Sequence, residues 1–399
     1  MHILILPSWY PKTPDDVGGV FFRDQALALH NYGHKVGVIA PTMRSLRTVG
    51  KAGYKAKLPT YENDNGLLTY RKELFAALPR IPYGNYYLFK NAARKLLKRY
   101  ISENGKLDIL HAHAAVFGGA AGAELSKEFE IPLVLTEHST GFARQIYSQW
   151  QLSLAEKAIT GANVCIAVSP SLAELLSEQF PASKGCWQWI PNVVADRFKT
   201  PENREHIERP VRFLNLALMT EKKGQFDLLQ AFMQLIQSGL SAELWMAGDG
   251  PIRPELEQMT LNAGVADNVR FLGMIAPDNV PNLLAETDVM VVSSHYETFG
   301  VVAAEALLAG VPVVATRCGG PECIVEEGDG LLVPPQEPMA LQEAMQCIAE
   351  SLPNYDPVAI ADRAKTRFSG TAIASRLTSV YQNVLSASSP SNITGQSFD

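Results

Sequence analysis

The stretch "HYETFGVVAAEALLAGVPVVATRCGG", residues 295–320, contains the helix and strand around which the second half of the chain is organised. "VVAAEALLAG" is almost wholly apolar, which predicts a helix buried on most of its sides. Glu305 lies in the middle of that helix, and Glu297 lies just before it. Burying a carboxylate is costly unless a partner donates hydrogen bonds to it. The two glutamates therefore predict either a ligand or a salt bridge within their own domain.

The same alternation of strand, turn and helix extends outward in both directions. The chain begins with the apolar run "HILILP", a helical pattern from Val20 to Asn31, Gly33 at a helix C′ position and the strand "KVGVIAP". After the charged segment "KTPENREHIERP", the pattern restarts with "VRFLNLALM" and "GQFDLLQAFMQLIQSG". Alternating strands and helices predict parallel sheets covered on both faces. We expect two Rossmann-like α/β domains whose strand ends face each other across an interdomain cleft.

The 399 residues are too many for one ordinary core and predict two domains. The predicted boundaries are 1–195 for the first domain, 196–370 for the second and 371–385 for a final helix. Residues 386–399 have the polar composition of a disordered tail.

Cysteine use, apolar runs and charge narrow the class of protein. Five cysteines without a CxxC pair disfavour a disulfide framework or a structural zinc site. The first residues lack the basic region of a signal peptide, and no apolar run is long enough to span a membrane. These features predict a cytoplasmic protein. Residues 1–195 carry 21 Lys+Arg against 15 Asp+Glu and the remainder is acidic. Either the first half meets an anionic partner, or the surface composition simply drifts along the chain.

A basic amphipathic segment, residues 86–100, carries five lysines and arginines beside an aromatic and aliphatic face. One reading is a surface helix packed on the sheet. The other is a peripheral contact with the inner face of a membrane or with an anionic acceptor lipid.

Glycine-containing turns at predicted strand ends suit a phosphate, because helix N-termini offer N–H groups and a partial positive charge. The turns are Gly18-Gly19, Gly248 to Pro251, and "ETFG" before the buried helix. For any single one of them, a tight loop is the better explanation. Lys222 and Lys223 add cations after another strand, where either is a diphosphate clamp or a solvated charge.

A sugar offers the buried glutamates the donors that they lack. A vicinal diol, such as the ribose 2′,3′-hydroxyl pair, donates two hydrogen bonds to one carboxylate. Glu305 fits that role, and Glu297 fits the hydroxyls of a second sugar. The backbone N–H groups of Phe299 and Gly300 would then hold phosphates between the two sugars.

These segments resemble the retaining glycosyltransferases of family GT4, which have the GT-B fold. The family pattern places two glutamates eight residues apart in "E-x-FG-x4-E-A-x3-G-x-PV", and "ETFGVVAAEALLAGVPVVAT" matches it. "AVSPSLAELL", "IPNVV", "KKG", "AGDGP" and "CGGPECIVEEGDGLLVPP" follow the family's order, so the resemblance covers residues 1–385.

The resemblance implies a role for each matching residue. The first domain would bind the acceptor and the second the nucleotide sugar, with the final helix packing back on the first domain. His138 in "TEHSTGF", Glu297 and Lys223 would act at the donor sugar and its diphosphate. The residues implied in nucleotide binding are Gly19, Gly248, Gly250, Thr298, Phe299, Gly300 and Glu305. The nucleoside diphosphate sugar is a substrate, and no metal or other cofactor is implied.

One position departs from the family pattern. The family commonly has Arg five residues before the lysine, where this chain has Leu218. Arg253 and Lys222 are candidates to replace that cation. Without a replacement, the diphosphate would be bound by one cation fewer than the family pattern provides.

The implied reaction is retaining, metal-independent transfer of a hexose-type sugar from a UDP-sugar, in preference to a GDP-sugar, to an acceptor hydroxyl. The basic first half favours a lipid-linked or polysaccharide precursor of envelope, capsule or exopolysaccharide synthesis, and the alternative is a soluble small-molecule acceptor. Nucleic acid is not an expected partner. Two rival readings are a sugar-nucleotide epimerase of the same fold and a catalytically silent sugar-nucleotide-binding protein. A dinucleotide-dependent oxidoreductase is disfavoured, since no G-x-G-x-x-G follows the first strand.

Overall fold

The computed structural model describes residues 1–12, 16, 18–44, 61–76, 81, 83–183, 187–195, 197–198 and 209–387. The chain forms two compact units. The N-terminal unit comprises residues 1–168, 173–193 and the chain from Ile373 onward. The C-terminal unit comprises residues 169–172 and 194–372.

The N-terminal unit is built on an eight-stranded sheet in the order β3-β4-β2-β1-β5-β6-β7-β8. Its strands are β1 (His2–Pro7), β2 (Lys35–Arg44), β3 (Tyr61–Asp64), β4 (Leu67–Phe75), β5 (Ile109–His113), β6 (Leu133–Glu137), β7 (Val164–Ala167) and β8 (Trp187–Trp189). All neighbours pair in parallel except β3 and β4, which are antiparallel. The sheet is therefore mixed, and the expectation of a purely parallel first sheet is wrong at this edge.

The antiparallel edge has a local cause. Asn65 and Gly66 separate β3 from β4 and both have positive φ, 51° and 93°. That is the backbone of a two-residue hairpin turn that matches the twist of its strands. The "ENDNGLL" segment carries the Asn-Gly signal of such a hairpin.

Helices cover the sheet of the N-terminal unit: α1 (Val20–Asn31), α2 (Gly84–Asn104), α3 (Ala120–Phe129), α4 (Gln149–Gly161) and α5 (Pro170–Gln179). The last helix of the chain, α12 (Gly370–Ala387), buries six side chains in the same core as α1, at helical spacing: Ile373, Ala374, Leu377, Val380, Tyr381 and Val384. None of the helices in the described ranges combines the length and apolar composition that crossing a bilayer requires.

The C-terminal unit has a wholly parallel six-stranded sheet in the order β11-β10-β9-β12-β13-β14. Its strands are β9 (Val211–Leu216), β10 (Ala242–Ala247), β11 (Val269–Gly273), β12 (Val289–Val292), β13 (Val313–Thr316) and β14 (Gly330–Val333). The helices are α6 (Gln225–Gln237), α7 (Arg253–Asn262), α8 (Val280–Ala285), α9 (Val301–Leu308), α10 (Pro338–Ser351) and α11 (Pro357–Phe368). Counted from β9, this is the doubly wound order 3-2-1-4-5-6. The prediction of two Rossmann-like α/β sheets is confirmed.

Two sequence predictions fall largely outside the described residues. The linker "KTPENREHIERP" covers residues 199–210, of which 199–208 are not described. The predicted tail begins at residue 386, but α12 continues to Ala387; residues 388–399 are not described.

Candidate active site

The C-terminal sheet has one topological switch point, between β9 and β12, where the strand order reverses direction. In open α/β sheets, ligands bind beside the carboxyl ends of the strands at such a point. Lys223 lies in the turn after β9, and Glu297 lies in the loop after β12. The topology therefore places these two predicted site residues where a ligand crevice is expected.

The turn that carries Lys223 is held against the loop after β12 by the main chain. Ser293 Oγ donates to the Lys223 carbonyl at 2.9 Å, and His295 N donates to the Lys222 carbonyl at 2.9 Å. Gly224 has φ 63°, and a Cβ there would lie 2.0 Å from the Ser293 carbonyl oxygen. Glycine is required because any side chain would separate the two loops.

Glu297 is buried, with 9% of its surface exposed, and one of its two carboxylate oxygens accepts two hydrogen bonds. Oε1 accepts hydrogen bonds from Lys223 Nζ and, at 2.8 Å, from Ser294 Oγ. Glu297 N donates to the Cys318 carbonyl at 3.0 Å, which fixes the loop against the turn after β13. The structure thus brings Lys223 and Glu297 together as an ion pair.

Glu305 is also buried, and it pairs with an arginine that sequence reasoning missed. Arg197 Nη2 donates to Glu305 Oε1 at 2.9 Å. Both acidic residues therefore have partners within the C-terminal unit, as the salt-bridge reading expected. Arg197 was missed because it lies in "NVVADRF", after β8 and before β9, where the local sequence pattern indicates a linker.

Helix α9 begins next to both glutamates. Its N-cap, Gly300, has φ 92°, and no side chain of the described residues caps the helix. Thr298 and Phe299 precede it and are buried, with Phe299 stacked edge-on against Phe368 at 5.9 Å. Gly320 backs this loop closely, since a Cβ there would lie 2.2 Å from the Phe299 carbonyl oxygen. The geometry keeps the N-terminus of α9 at the switch point.

The structure shows why residues 248 and 250 are glycines, which the sequence alone did not reveal. Cβ atoms at these positions would lie 1.9 Å from the Ala217 carbonyl oxygen and 2.1 Å from the Met219 carbonyl oxygen. The two glycines therefore allow the loops after β9 and β10 to touch. Their proposed contact with phosphate stays a prediction.

Leu218, at the position of the missing arginine, is 52% exposed. Arg253 Nε donates to Glu257 Oε1 at 2.7 Å on the same helix, and its Nη1 donates to Asp249 Oδ2 at 3.3 Å in the loop before that helix. A guanidinium has five N–H donors, so these contacts do not decide whether Arg253 replaces the missing cation, and that role stays a prediction. Lys222 contributes its carbonyl to the loop contact with His295.

In the N-terminal unit, the switch point lies between β1 and β5. Gly19 ends the loop after β1 with φ 85°, where a Cβ would meet the Trp9 ring at 2.9 Å. The helix that follows places Phe21 and Phe22 against His138, with ring centroids 5.0 and 5.1 Å away. The structure thus brings the start of α1 next to His138, at the carboxyl end of β6.

His138 is 7% exposed, and both of its ring nitrogens have partners. Nδ1 lies 2.9 Å from Asn192 Oδ1, and Nε2 lies 3.0 Å from His113 Nδ1. Burial lowers the pKa of His138 to about 3, although the Asn192 hydrogen bond acts in the opposite direction. At neutral pH the ring is uncharged.

Glu137, beside His138, is fully buried and organises the loops around it. Its carboxylate accepts from the backbone N–H groups of Ala115, His138 and Ser139 at 2.6–2.8 Å. Burial nevertheless raises the pKa of Glu137. Its three N–H donors supply the hydrogen bonds that a buried carboxylate requires.

The basic amphipathic segment forms helix α2, and its apolar face packs on the sheet: Tyr86, Phe89, Ala93, Leu96, Leu97 and Tyr100 are all buried. Several of its cations face acidic neighbours. Lys90 pairs with Glu124 at 2.6 Å, and Arg94 pairs with Glu128 at 2.7 Å. These contacts favour the packed surface helix over the membrane contact, which stays a prediction.

Within the described residues, no group of three or more His, Cys, Asp and Glu side chains is placed to hold a metal ion.

Comparison with known proteins matches both halves of the chain. Residues 18–198 match the family described as Glycosyltransferase Family 4, and residues 210–351 match Glycosyl transferases group 1. An uncharacterised glycosyltransferase of Methanocaldococcus jannaschii is 30% identical over 359 residues, 85% of this chain and 86% of that protein. A Bacillus subtilis glycosyltransferase, TuaC, named for teichuronic acid biosynthesis, is 28% identical over 86% of this chain and 88% of its own.

A solved structure gives the same fold. Anabaena HepE in complex with UDP superposes with a TM-score of 0.71 at 20% identity, covering 96% of this chain and all of its own. The sequence matches extend over both units. The chain therefore belongs to glycosyltransferase family 4, and it has the GT-B fold.

Proposed function

We propose that this glycosyltransferase moves a hexose-type sugar from a nucleoside diphosphate sugar, UDP-linked in preference to GDP-linked, to an acceptor hydroxyl, with retention of anomeric configuration and without a metal ion. The observation that carries the proposal is the arrangement at the switch point of the C-terminal sheet. A lysine, two buried glutamates and an uncapped helix N-terminus lie there together.

The donor's charge and hydroxyls match these groups. An ammonium has three donors, so Lys223 can hold a phosphate oxygen while it keeps its bond to Glu297. A carboxylate has about four lone-pair sites, so Glu305 can accept from the ribose diol alongside Arg197. The N-terminus of α9 adds a partial positive charge toward the phosphates.

Bond cleavage at the anomeric carbon leaves negative charge on the diphosphate. Lys223 and the α9 N-terminus would stabilise that charge as it develops, and removing one such donor typically costs about 10²–10³ in rate. The acceptor would attack from the face that the phosphate leaves, and a phosphate oxygen would take its proton. Glu297 would orient the donor sugar, and His138 would act beside it. This front-face route and the roles of both residues are carried over from the family resemblance.

Two relatives support the choice of donor and acceptor. HepE is described in complex with UDP, which supports a uridine nucleotide here. TuaC is named for teichuronic acid biosynthesis, which supports a polysaccharide or lipid-linked precursor as the acceptor. The basic first half of this chain agrees with an anionic acceptor.

The test is a thermal-shift panel of UDP-, GDP- and ADP-glucose on the full chain. We expect UDP-glucose to give the largest stabilisation, since a ligand that binds the native state raises its melting temperature. The Glu305→Gln variant should lose at least about tenfold in affinity, the effect of one charge-assisted hydrogen bond. Glu255→Gln, an exposed change on α7 in the same unit, is the matched control and should bind as the wild type does.

Turnover distinguishes the rival activities. Incubation of UDP-glucose alone, followed by NMR, should show slow hydrolysis and no epimerised sugar. The His138→Ala variant should keep its nucleotide-induced shift and lose turnover. Equal behaviour of Glu305→Gln and Glu255→Gln, or an epimerised product, would refute the proposal.

A further inference from the structure

Three histidines lie close together in the interior of the N-terminal unit: His111 and His113 on β5, and His138 at the end of β6. The rings of His111 and His113 stack with centroids 4.3 Å apart, and those of His113 and His138 are 5.2 Å apart. None is more than 7% exposed. The family resemblance gives a role to His138 and none to His113 or Asn192.

The hydrogen bonds fix which nitrogen of each ring carries the proton. A neutral imidazole has one N–H donor and one acceptor nitrogen. Asn192 Oδ1 only accepts, so the proton of His138 is on Nδ1, 2.9 Å away. His138 Nε2 is then the acceptor, and His113 must donate to it from Nδ1 at 3.0 Å. The chain of donors therefore runs from His113 through His138 to Asn192.

His111 stands outside this chain although its ring is stacked on His113. Its Nδ1 pairs with Tyr381 OH and its Nε2 with Thr136 Oγ1, both at 2.7 Å. At the other end, His113 Nε2 is buried and has no hydrogen-bond partner among the described residues. A buried unpaired nitrogen is tolerated better as an acceptor than as an unpaired N–H, which agrees with the assigned direction.

We propose that His113 and Asn192 are positioning residues that hold His138 as the tautomer protonated on Nδ1, with both ring nitrogens occupied by protein groups. This inference rests on the proposed function, in which His138 acts at the donor sugar. It goes further by stating how His138 acts: it presents a fixed ring to the site, and it neither takes nor gives the proton of the acceptor.

The surroundings support a fixed and uncharged ring. Burial lowers the pKa of His138 to about 3 and that of His113 well below its ordinary value. Phe21 and Phe22 pack against the His138 ring at 5.0 and 5.1 Å and restrict its rotation. Glu137 fixes the backbone of His138 by accepting from its N–H at 2.8 Å.

The first test needs no substrate. Histidine labelled with ¹⁵N reports the tautomer of each ring by NMR, and the His138→Gln variant assigns the His138 signals. We expect the Nδ1–H tautomer, unchanged from pH 5 to pH 8, where a free histidine titrates. A proton on Nε2, or a titration of His138 in that range, would overturn the proposal.

The second test asks whether the neighbours set that tautomer and support turnover, measured as hydrolysis of UDP-glucose. His113→Phe and Asn192→Leu each remove one bond of the chain, so the His138 tautomer should become mixed. The value of kcat should fall about tenfold while the KM for UDP-glucose stays within about twofold. His113→Asn keeps an N–H donor near the position of Nδ1 and should restore most of the loss.

Thr136→Val is the matched control. It removes a buried hydrogen bond of the adjacent His111 ring and leaves the His113–His138 pair intact, so tautomer and kcat should be those of the wild type. If both His113→Phe and Asn192→Leu leave kcat unchanged while His138→Ala abolishes it, the positioning role is refuted. If His138→Ala itself keeps full turnover, the proposed function of His138 fails instead.

Discussion

Lowering the pH from 7.5 to 5.5 should destabilise the N-terminal unit through its buried histidines. Burial lowers the pKa of His111 and His138 to about 3, and that of His113 well below 6.5. In the unfolded chain each of these rings takes up a proton below about pH 6.5. Because the unfolded state then binds more protons than the folded state, stability is full above pH 6.5 and falls as the pH decreases toward 3.

The magnitude follows from the difference in proton binding. A ring that stays neutral when folded and titrates at 6.5 when unfolded contributes a loss of between about 1 and 2 kcal/mol from pH 7.5 to pH 5.5. Three such rings give a loss of about 4 kcal/mol, a large part of the 5–15 kcal/mol typical of a domain. His2 and His34, whose pKa values burial also lowers, add to the loss in the same direction.

The assay is urea unfolding at several pH values between 5.5 and 7.5, followed by tryptophan fluorescence of a Trp245→Phe variant, whose other four tryptophans all lie in the N-terminal unit. The unfolding free energy should fall with a slope near that of three protons at the acid end. Replacing one of the rings, as in His111→Asn, should reduce the slope by about one third. A loss below about 1 kcal/mol over the whole range would show that these rings are charged or accessible in the folded protein, and the reasoning would be wrong.

Three further predictions concern single positions. Gly224→Ala should weaken UDP-glucose binding at least about tenfold, because its Cβ would displace the Ser293 carbonyl and with it the turn that carries Lys223; equal binding in a titration would contradict this. Leu218→Arg should raise the affinity for UDP-glucose by several-fold through a second cation beside the diphosphate, and an unchanged or weaker affinity would show that Leu218 lies away from it. Glu124→Gln should destabilise the protein by about 1–2 kcal/mol at pH 7 after allowance for solvent screening. Burial alone would raise the pKa of Glu124, but hydrogen bonds from two lysines and a tyrosine outweigh it and lower the pKa to about 2. The stabilisation is therefore full above pH 4.5 and is lost as the pH falls from 4.5 to 2, and a thermal melt that is unchanged at pH 7 would exclude it.

The architecture follows from local patterns to a large extent. The helix predicted from Val20 to Asn31 has those bounds in the structure, since an apolar stripe, a preceding glycine and a C′ glycine all agree. The hairpin at Asn65-Gly66 is also encoded locally, but its first strand is only four residues long and largely polar, so the turn is the pattern that marks it. Hydrophobic periodicity and turn chemistry act over a few residues, and these local signals are enough to specify the helix and the hairpin.

The contacts that complete the candidate site are not local. Arg197 and Glu305 are 108 residues apart, and nothing in the pattern around Arg197 indicates a buried partner. His113, His138 and Asn192 come from separate segments that only the sheet order brings together. Single-sequence patterns reveal candidate residue types at strand ends, but which of them pair depends on tertiary packing.

The position of α12 has a consequence for the order in which the protein matures. The residues that fill one side of the first unit's core, from Ile373 to Val384, leave the ribosome after the entire second unit. Until then the nascent first unit lacks the cover over α1 and β1, and His111 lacks the Tyr381 hydroxyl that it contacts. A fragment that ends near residue 193 should therefore expose the hydrophobic surface that α12 covers, and it should aggregate. The same fragment supplied with a peptide of residues 370–387 should regain solubility.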